Sequence, residues 1–352
     1  MHSTNDPEDI CLNIDYETAV GTPVSKNTNA KTRRILSYLR SVYGKKTLSG
    51  QYTNHGFSTE TDAIFRETGK YPAVRGFDLL NYSPSLIGGR KGDTELAIEW
   101  DKMGGICTFS WHWYAPSKTP ERNNEQFRTE NSSFDLSKAV TSADIALKTP
   151  EELAEMSRNG EISEECFMLI SDIDAISEQL KIFRDNGVTV LWRPLHEASG
   201  GWFWWGAFGA DAYKWLWKLL FVRQNEFHKL DDLIWIANAQ SHEWYVGDEF
   251  CDINGEDIYP EKHDYSSQSE RFSQAYAYSP KKMIAMTENG VIPDPDNMNS
   301  DGIRWLFFNT WCREFIVDRA GDISEEYTEK TMLRKVYSHP DIVTLEDLPK
   351  FD

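Results

Sequence analysis

The sequence predicts an α/β protein folded as a single-domain (β/α)8 TIM barrel. Short apolar segments alternate with amphipathic helical segments along the whole chain, and no Gly/Ser-rich or Pro-rich linker divides it. Barrels of this kind typically have about 250 residues and accept loop insertions, so 352 residues fit one domain. The eight predicted strands are 47–52, 71–78, 104–113, 188–197, 233–240, 252–259, 282–290 and 303–311.

The segment 30–44 illustrates the helical pattern between these strands. It places Ile35, Leu36, Leu39 and Tyr43 on one face of a helix. An open, doubly wound sheet is the alternative fold. That fold normally carries a glycine-rich GxGxxG turn after its first strand, and "SGQYTNHGF" does not match this pattern. The barrel is therefore favoured.

The predicted domain has a short lead-in and one long insertion. Residues 1–30 are expected to form an N-terminal tail and lead-in, with the first dozen mobile, and residues 31–352 the barrel. The polar segment at about 114–162, between the third and fourth strands, is expected to form a long loop and short helices over one rim.

Charge and composition exclude several classes of partner. The chain has 37 Lys and Arg against 56 Asp and Glu, a formal charge of −19. This charge repels nucleic acid and anionic membranes and favours a neutral or cationic partner. No apolar run reaches the roughly 18 residues of a membrane-spanning helix. The five widely spaced cysteines are expected to be buried free thiols, and the chain is expected to be monomeric.

Polar side chains collect at the ends of three predicted strands. In a barrel these ends open onto one mouth, where catalytic groups lie. Strands four and seven lie nearly opposite each other, so their glutamates can face each other across the opening. One protonated and one ionised carboxyl group are what glycoside hydrolysis needs. The strand-end residues are Arg193, His196 and Glu197 on strand four, Asp257 and Tyr259 on strand six, and Glu288 on strand seven.

The surroundings of the two glutamates predict different roles. Glu197 lies in "VLWRPLHEASGGWFWWG", and the neighbouring indole rings should raise its pKa, as a general acid requires. Glu288 is within reach of donors on Tyr259 and Arg193, which should lower its pKa. Tryptophans also suit the C–H faces of sugars. Of the flanking Trp192, Trp202, Trp204 and Trp205, the last two are equally compatible with core or cleft.

No metal or cofactor is predicted. "HEASG" begins like a zinc-binding HExxH motif, but Gly200 replaces the second histidine. Residues 294–302 resemble a calcium loop, yet Met298 stands at a ligand position and no glutamate closes the loop.

Several segments resemble glycoside hydrolase family 26, whose founding activity is endo-β-1,4-mannanase. "WRPLHEASGGWFWWG" resembles the acid/base signature of that family and "AMTENG" its nucleophile strand. The resemblance extends to "FSWHWYAP", "GEDIYP" and "FFNTW" and covers the chain from about Lys31 onward. It implies a retaining glycosidase with Glu197 as acid/base and Glu288 as nucleophile.

The resemblance also implies roles for other residues. Arg193 and Asp257 would support the catalytic pair. Cys312 is a departure, because some mannanases carry a basic residue there. The predicted substrate-binding residues are His112, Trp113, His196, Trp202, Tyr259 and Trp311.

The predicted function is hydrolysis of β-1,4-mannosidic bonds in mannan, galactomannan, glucomannan and their oligosaccharides. The alternatives are an exo-acting mannobiose-releasing mannanase, a β-1,3-1,4-glucanase, a β-1,3-xylanase, or a non-catalytic saccharide-binding barrel. Because polymeric mannan cannot enter a cell, the protein is expected to be secreted, cell-surface or periplasmic, with a leader outside the present sequence.

Overall fold

In the computed structural model of the protein, which describes residues 14–122 and 124–351, eight parallel strands pair around a closed ring. Each predicted strand is confirmed, with shorter bounds than the apolar segments suggested. Every residue of these strands is buried, because one face fills the barrel and the other packs under helices. The strands are β1 (Gly50–Tyr52), β2 (Val74–Asp78), β3 (Ile106–Ser110), β4 (Val190–Arg193), β5 (Leu233–Ala237), β6 (Ile253–Ile258), β7 (Met283–Asn289) and β8 (Phe308–Thr310).

Helices follow the strands and cover the outside of the ring. The first predicted helix is confirmed: it begins after Asn29, whose side chain caps it, and buries the predicted apolar face. A π-helical segment, Arg223–Phe227, continues α7. The helices are α1 (Ala30–Val42), α2 (Thr59–Thr68), α3 (Asp93–Lys102), α4 (Leu136–Ala139), α5 (Pro150–Arg158), α6 (Glu164–Asp185), α7 (Ala210–Val222), α8 (Ser269–Tyr278), α9 (Pro295–Ser300) and α10 (Lys330–Ser338).

The predicted insertion contains loop and short helices. Residues 114–162 include a short strand, Glu121–Arg122, which pairs with Leu86–Ile87, and the helices α4 and α5. The Thr129 amide donates to the Trp202 carbonyl at 2.8 Å, so the insertion packs against the loop after β4. It therefore forms part of the rim around the mouth.

The lead-in packs against the barrel from residue 14. The Tyr16 ring lies 5.0 Å from the ring of Tyr43, and the Val24 amide donates to Asp252 at 2.8 Å. The tail predicted for the first dozen residues lies outside the described residues. Within the described parts of the chain, no helix is both long and apolar enough to cross a membrane. Cys107, Cys166, Cys251 and Cys312 are buried free thiols, as predicted, and Cys11 lies outside the described residues.

Candidate active site

A tight turn after β4 brings Glu197 into the mouth of the barrel. Leu195 and Glu197 adopt left-handed backbone conformations, with φ of 53° and 54°. Such conformations cost roughly 1–3 kcal/mol in residues other than glycine and persist only where the surrounding structure holds them. Here the Glu197 amide donates to the backbone carbonyl of Asn238 at 2.8 Å and to its side-chain oxygen at 3.1 Å. The end of β5 thus holds the turn.

Glu197 is partly buried and has a high pKa. The Trp202 indole donates to its Oε2 at 2.7 Å, and Trp202 is itself 43% exposed. Burial raises the pKa of Glu197 to about 9, and the negative charges of Asp257 and Glu288 act in the same direction. The carboxyl group is therefore protonated at neutral pH, as a general acid must be.

A β-bulge in β7 positions Glu288. Along β7, Met286 pairs with Glu256 and Glu288 pairs with Asp257, so Thr287 is the extra residue. Bulges re-aim side chains at such strand ends. The Tyr259 hydroxyl donates to Glu288 Oε2 at 2.7 Å, and Arg193 forms an ion pair with Oε1.

The pKa of Glu288 is raised, which is opposite in direction to the sequence prediction. Burial raises the pKa to about 7, because the loss of hydration outweighs the opposing effect of Arg193. The predicted order of the two groups is nevertheless retained, since the pKa of Glu197 lies higher, at about 9. Glu288 is the group that ionises first as the pH rises.

Arg193 links the site to the barrel interior. It is fully buried, donates to Asp257 Oδ2 at 2.8 Å and to the Tyr52 hydroxyl at 3.1 Å, and also pairs with Glu288. Asp257 Oδ1 accepts from Asn238 at 2.7 Å and from Thr287 at 2.6 Å. A buried cation needs such partners, and this network holds Arg193 in place beneath Glu288.

Two histidines meet on the other side of the mouth. The Nε2 atoms of His112 and His196 lie 3.2 Å apart, and His112 Nδ1 bonds to Asp78. Burial lowers the pKa of His196 well below its usual value, and the neighbouring His112 and Arg193 contribute to this. His196 is therefore neutral at neutral pH. The Trp205 indole N–H donates to the backbone carbonyl of His196 at 2.8 Å.

Trp311 lies beside these histidines at the end of β8. Its ring centroid is 4.7 Å from that of Tyr52 and 5.8 Å from that of His112. The Trp311 amide donates to the Asn289 carbonyl at 2.9 Å, which ties the loop to β7. A pocket of about 170 Å3 opens over these rings.

Trp113 does not lie in the cleft, and this corrects the sequence prediction of a substrate contact. Its side chain has no exposed surface, stacks on Trp111 with ring centroids 4.2 Å apart, and donates to Asp172 at 2.9 Å. It is a core residue because successive side chains at the end of β3 alternate between mouth and core. The adjacent His112 takes the mouth-facing position.

Most tryptophans of the segment Val190–Gly206 are also core residues. Trp192, Trp204 and Trp205 are at most 1% exposed, and each indole N–H has an acceptor within the protein. The sequence was equally compatible with core and cleft positions for Trp204 and Trp205. The structure places both of them in the core. Trp202 is the member of this group that presents its ring to the cleft.

Three residues of the site were not singled out from the sequence. Tyr52 ends β1, Asp78 ends β2, and Asn238 follows β5. Each bonds to a predicted residue: Tyr52 to Arg193, Asp78 to His112 and Asn238 to Glu197. All three could have been predicted from the sequence, because each is a polar residue at or near the end of a predicted strand.

Among the described residues, three carboxylates of the site are also close enough together to hold a cation. Glu197, Asp257 and Glu288 each have one oxygen within 4.8 Å of the others. Arg193 already pairs with both Asp257 and Glu288, so its guanidinium supplies the positive charge that a metal ion would bring. The donor set is better explained by acid–base chemistry than by metal binding.

A (β/α)8 barrel with two close carboxyl groups at the ends of β4 and β7, one of them protonated, has the architecture of a glycoside hydrolase. Residues 24–346 match the model of glycosyl hydrolase family 26. The chain therefore belongs to glycosyl hydrolase family 26.

Relatives of this chain carry mannanase names. Mannan endo-1,4-β-mannosidase of Thermothelomyces thermophilus is 37% identical over 329 residues, which cover 92% of this chain and 62% of that protein. Mannan endo-1,4-β-mannosidase A of Piromyces sp is 30% identical, and the match covers 91% of this chain and 49% of that protein. The chain thus spans about half to three fifths of the length of these curated relatives.

Solved structures agree with this assignment. The Podospora anserina GH26-CBM35 β-(1,4)-mannanase is 33% identical with a TM-score of 0.82, covering 95% of this chain and 70% of that one. A β-mannanase from a symbiotic protist of the termite Reticulitermes speratus, solved with gluco-manno-oligosaccharide, is 30% identical with a TM-score of 0.80. That match covers 94% of this chain and 98% of the other.

Proposed function

We propose that the protein is a retaining endo-β-1,4-mannosidase that cleaves mannan, galactomannan, glucomannan and their oligosaccharides. The observation that carries this proposal is the pair Glu197 and Glu288, which face each other in the mouth with different pKa values. The names of the relatives support β-1,4-mannan as the substrate.

The distance between the carboxyl groups supports a retaining mechanism. Oxygen atoms of Glu197 and Glu288 lie within 4.8 Å of each other. Retaining glycosidases hold their carboxyl groups about 5–5.5 Å apart, whereas inverting enzymes need roughly 6.5–9.5 Å to accommodate a water molecule between them. Oxygen atoms this close favour direct attack of one carboxylate on the sugar carbon over attack by a water molecule held between the two groups.

Each glutamate has one task in each of two steps. In the first step a Glu288 oxygen attacks the anomeric carbon, the glycosidic C–O bond breaks, and the Glu197 proton passes to the leaving oxygen. In the second step Glu197 takes a proton from water as the water oxygen attacks the same carbon, and the ester bond to Glu288 breaks. Both glutamates return to their starting protonation states.

Five of the six predicted substrate-binding residues, all except the core residue Trp113, lie around this pair. Because Glu197 protonates the leaving oxygen, Trp202 beside it is placed to contact the leaving-group sugar. Trp311 is placed beneath the sugar that becomes attached to Glu288, with His112 and His196 beside it. Tyr259, 44% exposed, both bonds to Glu288 and faces the cleft.

An extended cleft favours endo action over release of mannobiose from a chain end. The pocket over Trp311 continues into a second pocket, and the two share Asn54, His55, Leu80 and Arg313. An enzyme that releases only mannobiose needs a barrier at this end. Since a polymer cannot enter a cell, we place the action of this protein outside the cytoplasm.

Product analysis over time tests the proposal. The protein would be incubated with linear mannan, galactomannan, mixed-linkage glucan and mannopentaose, and the released sugars resolved. We expect a ladder of oligomers from mannan and little release from glucan. Release of mannobiose alone from the first minutes would indicate exo action instead of endo action. Preferential cleavage of glucan would contradict mannan as the substrate. No cleavage of any of these substrates would favour a saccharide-binding protein.

The stereochemistry of the first product is a separate test. Proton NMR of fresh mannopentaose digests should show the β-anomer before mutarotation. Initial formation of the α-anomer would contradict the retaining mechanism.

A further inference from the structure

A second pocket extends the cleft away from the catalytic pair. It has a volume of about 620 Å3 and is formed by residues that follow β1, β2 and β8, together with Arg122 from the insertion. This volume lies within the roughly 300–1,000 Å3 range of ligand pockets. In the ring, β8 lies opposite β4, whose loop carries Glu197, and β1 and β2 follow β8. The pocket is therefore on the side opposite the leaving group.

Three arginines line this pocket. Arg90, Arg122 and Arg313 lie in its wall, and the described lining residues include no aspartate or glutamate. Within the described parts of the chain, none of the three guanidinium groups lies within 4.0 Å of a carboxylate. In a protein of formal charge −19, a pocket lined by cations without acids is an unusual local arrangement.

The arginines are held by neutral groups. Arg313 Nη2 donates to the Asn54 side chain at 3.2 Å, and Arg90 lies over the Phe57 ring at 3.7 Å. These contacts orient two of the guanidinium groups, and neither contact supplies a negative charge. Arginine binds carboxylates with paired N–H donors, so such groups are suited to an anionic ligand.

The same pocket has apolar surface for a sugar ring. Ile87 is 50% exposed and Phe57 is 41% exposed, and both lie among the lining residues. The C–H face of a pyranose can pack on these side chains while its substituents reach the arginines. Apolar contact with convergent polar groups is the usual composition of a small-molecule site.

We propose that this pocket binds a carboxylate-bearing sugar, such as a uronic acid side group on the β-mannan chain, on the glycone side of the scissile bond. This inference rests on the proposed function, because the mannan backbone must first occupy the cleft over Trp311. The enzyme accordingly favours uronate-substituted mannan over the neutral polymer.

Binding to the Glu288→Ala protein tests the proposal without turnover. The ligand is a manno-oligosaccharide bearing a glucuronic acid branch, and the matched control ligand is the same oligosaccharide after reduction of its carboxylate to a primary alcohol. Calorimetry at low ionic strength should show about tenfold tighter binding of the charged form, with the advantage shrinking as salt is added. A phosphate-bearing manno-oligosaccharide serves as the third ligand.

The arginines are tested in the same protein. Arg90→Gln combined with Arg122→Gln should reduce the advantage of the charged ligand to less than about twofold. Arg158→Gln on α5, an exposed arginine outside the pocket, should retain the advantage. The ratio of the two affinities is the readout, so a general loss of stability does not imitate the result.

Three outcomes would overturn the proposal. Equal affinity for the charged and reduced ligands would contradict an anion-binding role for the pocket, and so would a preference that survives loss of both arginines. Tighter binding of the phosphate-bearing ligand than of the carboxylate-bearing one would contradict a carboxylate as the preferred anion. If the proposed function itself were wrong, neither ligand would bind and the wild type would not cleave neutral mannan. Cleavage of neutral mannan by the wild type therefore shows that any of the three outcomes concerns the pocket alone.

Discussion

Glu197 and Glu288 lie within 4.8 Å of each other yet differ in their surroundings. Glu197 accepts one N–H, from the half-exposed Trp202, and its side chain has no cation paired with it among the described residues. Glu288 is 4% exposed, pairs with Arg193 and accepts from Tyr259. One carboxyl group is set in a partly apolar loop, the other on a rigid strand with fixed donors.

The comparison shows that hydrogen-bond and ion-pair partners, and not burial alone, give the two glutamates different pKa values and therefore different roles. Glu288 is the more buried group, and burial by itself would give it the higher pKa. The pKa of Glu288 instead lies below that of Glu197, because Arg193 and Tyr259 stabilise its ionised form. The following changes remove these partners or the carboxyl groups themselves.

Glu288→Ala should have the largest effect. Loss of the nucleophile should lower kcat on mannan by roughly four orders of magnitude or more, while mannopentaose still binds. Steady-state kinetics and calorimetry measure the two quantities. Activity close to that of the wild type would show that Glu288 is not the nucleophile.

Glu197→Ala should have a large effect that depends on the leaving group. We expect kcat/KM on mannan to fall about 10²- to 10⁴-fold, the usual contribution of a general acid. A mannobioside with a dinitrophenolate leaving group needs no protonation, so formation of its glycosyl–enzyme intermediate should be largely spared. Equal losses on both substrates would contradict the role of Glu197 as acid.

Arg193→Met should shift the acidic limb of the pH profile. Arg193 lowers the pKa of Glu288, so its removal raises that pKa, and ionised Glu288 becomes available only at higher pH. The acidic limb of kcat/KM should therefore move to higher pH. Removal of one partner of a buried ion pair should also lower stability by about 3–5 kcal/mol.

Arg193→Lys is the control for this change. It retains a cation but loses the paired N–H donors, so its acidic limb should move less than that of Arg193→Met. Profiles would be measured at a temperature where both variants are folded by circular dichroism. An unchanged acidic limb in folded Arg193→Met would contradict the assignment of that limb to Glu288.

Trp202→Phe should have the smallest effect, on the opposite limb. The indole N–H lowers the pKa of Glu197, and phenylalanine lacks this donor. The pKa of Glu197 should rise, and the alkaline limb of kcat/KM should move to higher pH by less than about one unit. Trp204→Phe, which changes a buried indole bonded to the Trp113 carbonyl, is the matched control and should leave that limb in place. A shift of the acidic limb in Trp202→Phe would contradict the assignment.

Much of the site could be predicted because a barrel brings the ends of its strands together. Glu197, Asp257 and Glu288 are distant in sequence, yet each ends a predicted strand, and the structure brings the three together. Tyr52 and Asp78 obeyed the same rule but carried no additional signal. Their importance lies in contacts to Arg193 and His112, which are visible only when the strands are arranged in space.

The tryptophans show where a sequence pattern is ambiguous. A cluster of aromatic residues beside an acid is compatible with a sugar cleft and with a core, because the same rings serve both. Trp113 was predicted to contact substrate and is core, whereas Trp202 is exposed. The orientation of each ring depends on the turn after β4 and on the packing of the insertion, neither of which has a local sequence signature.

The sequence by itself determined the order and number of the strands, the two glutamates at strand ends and the family, because periodicity and motif are properties of neighbouring residues. The tertiary structure decided that burial raises the pKa of Glu288 despite its donors, the orientation of each tryptophan and the grouping of Arg90, Arg122 and Arg313 in one pocket. These properties depend on desolvation and on charges that act through space between residues far apart in the chain.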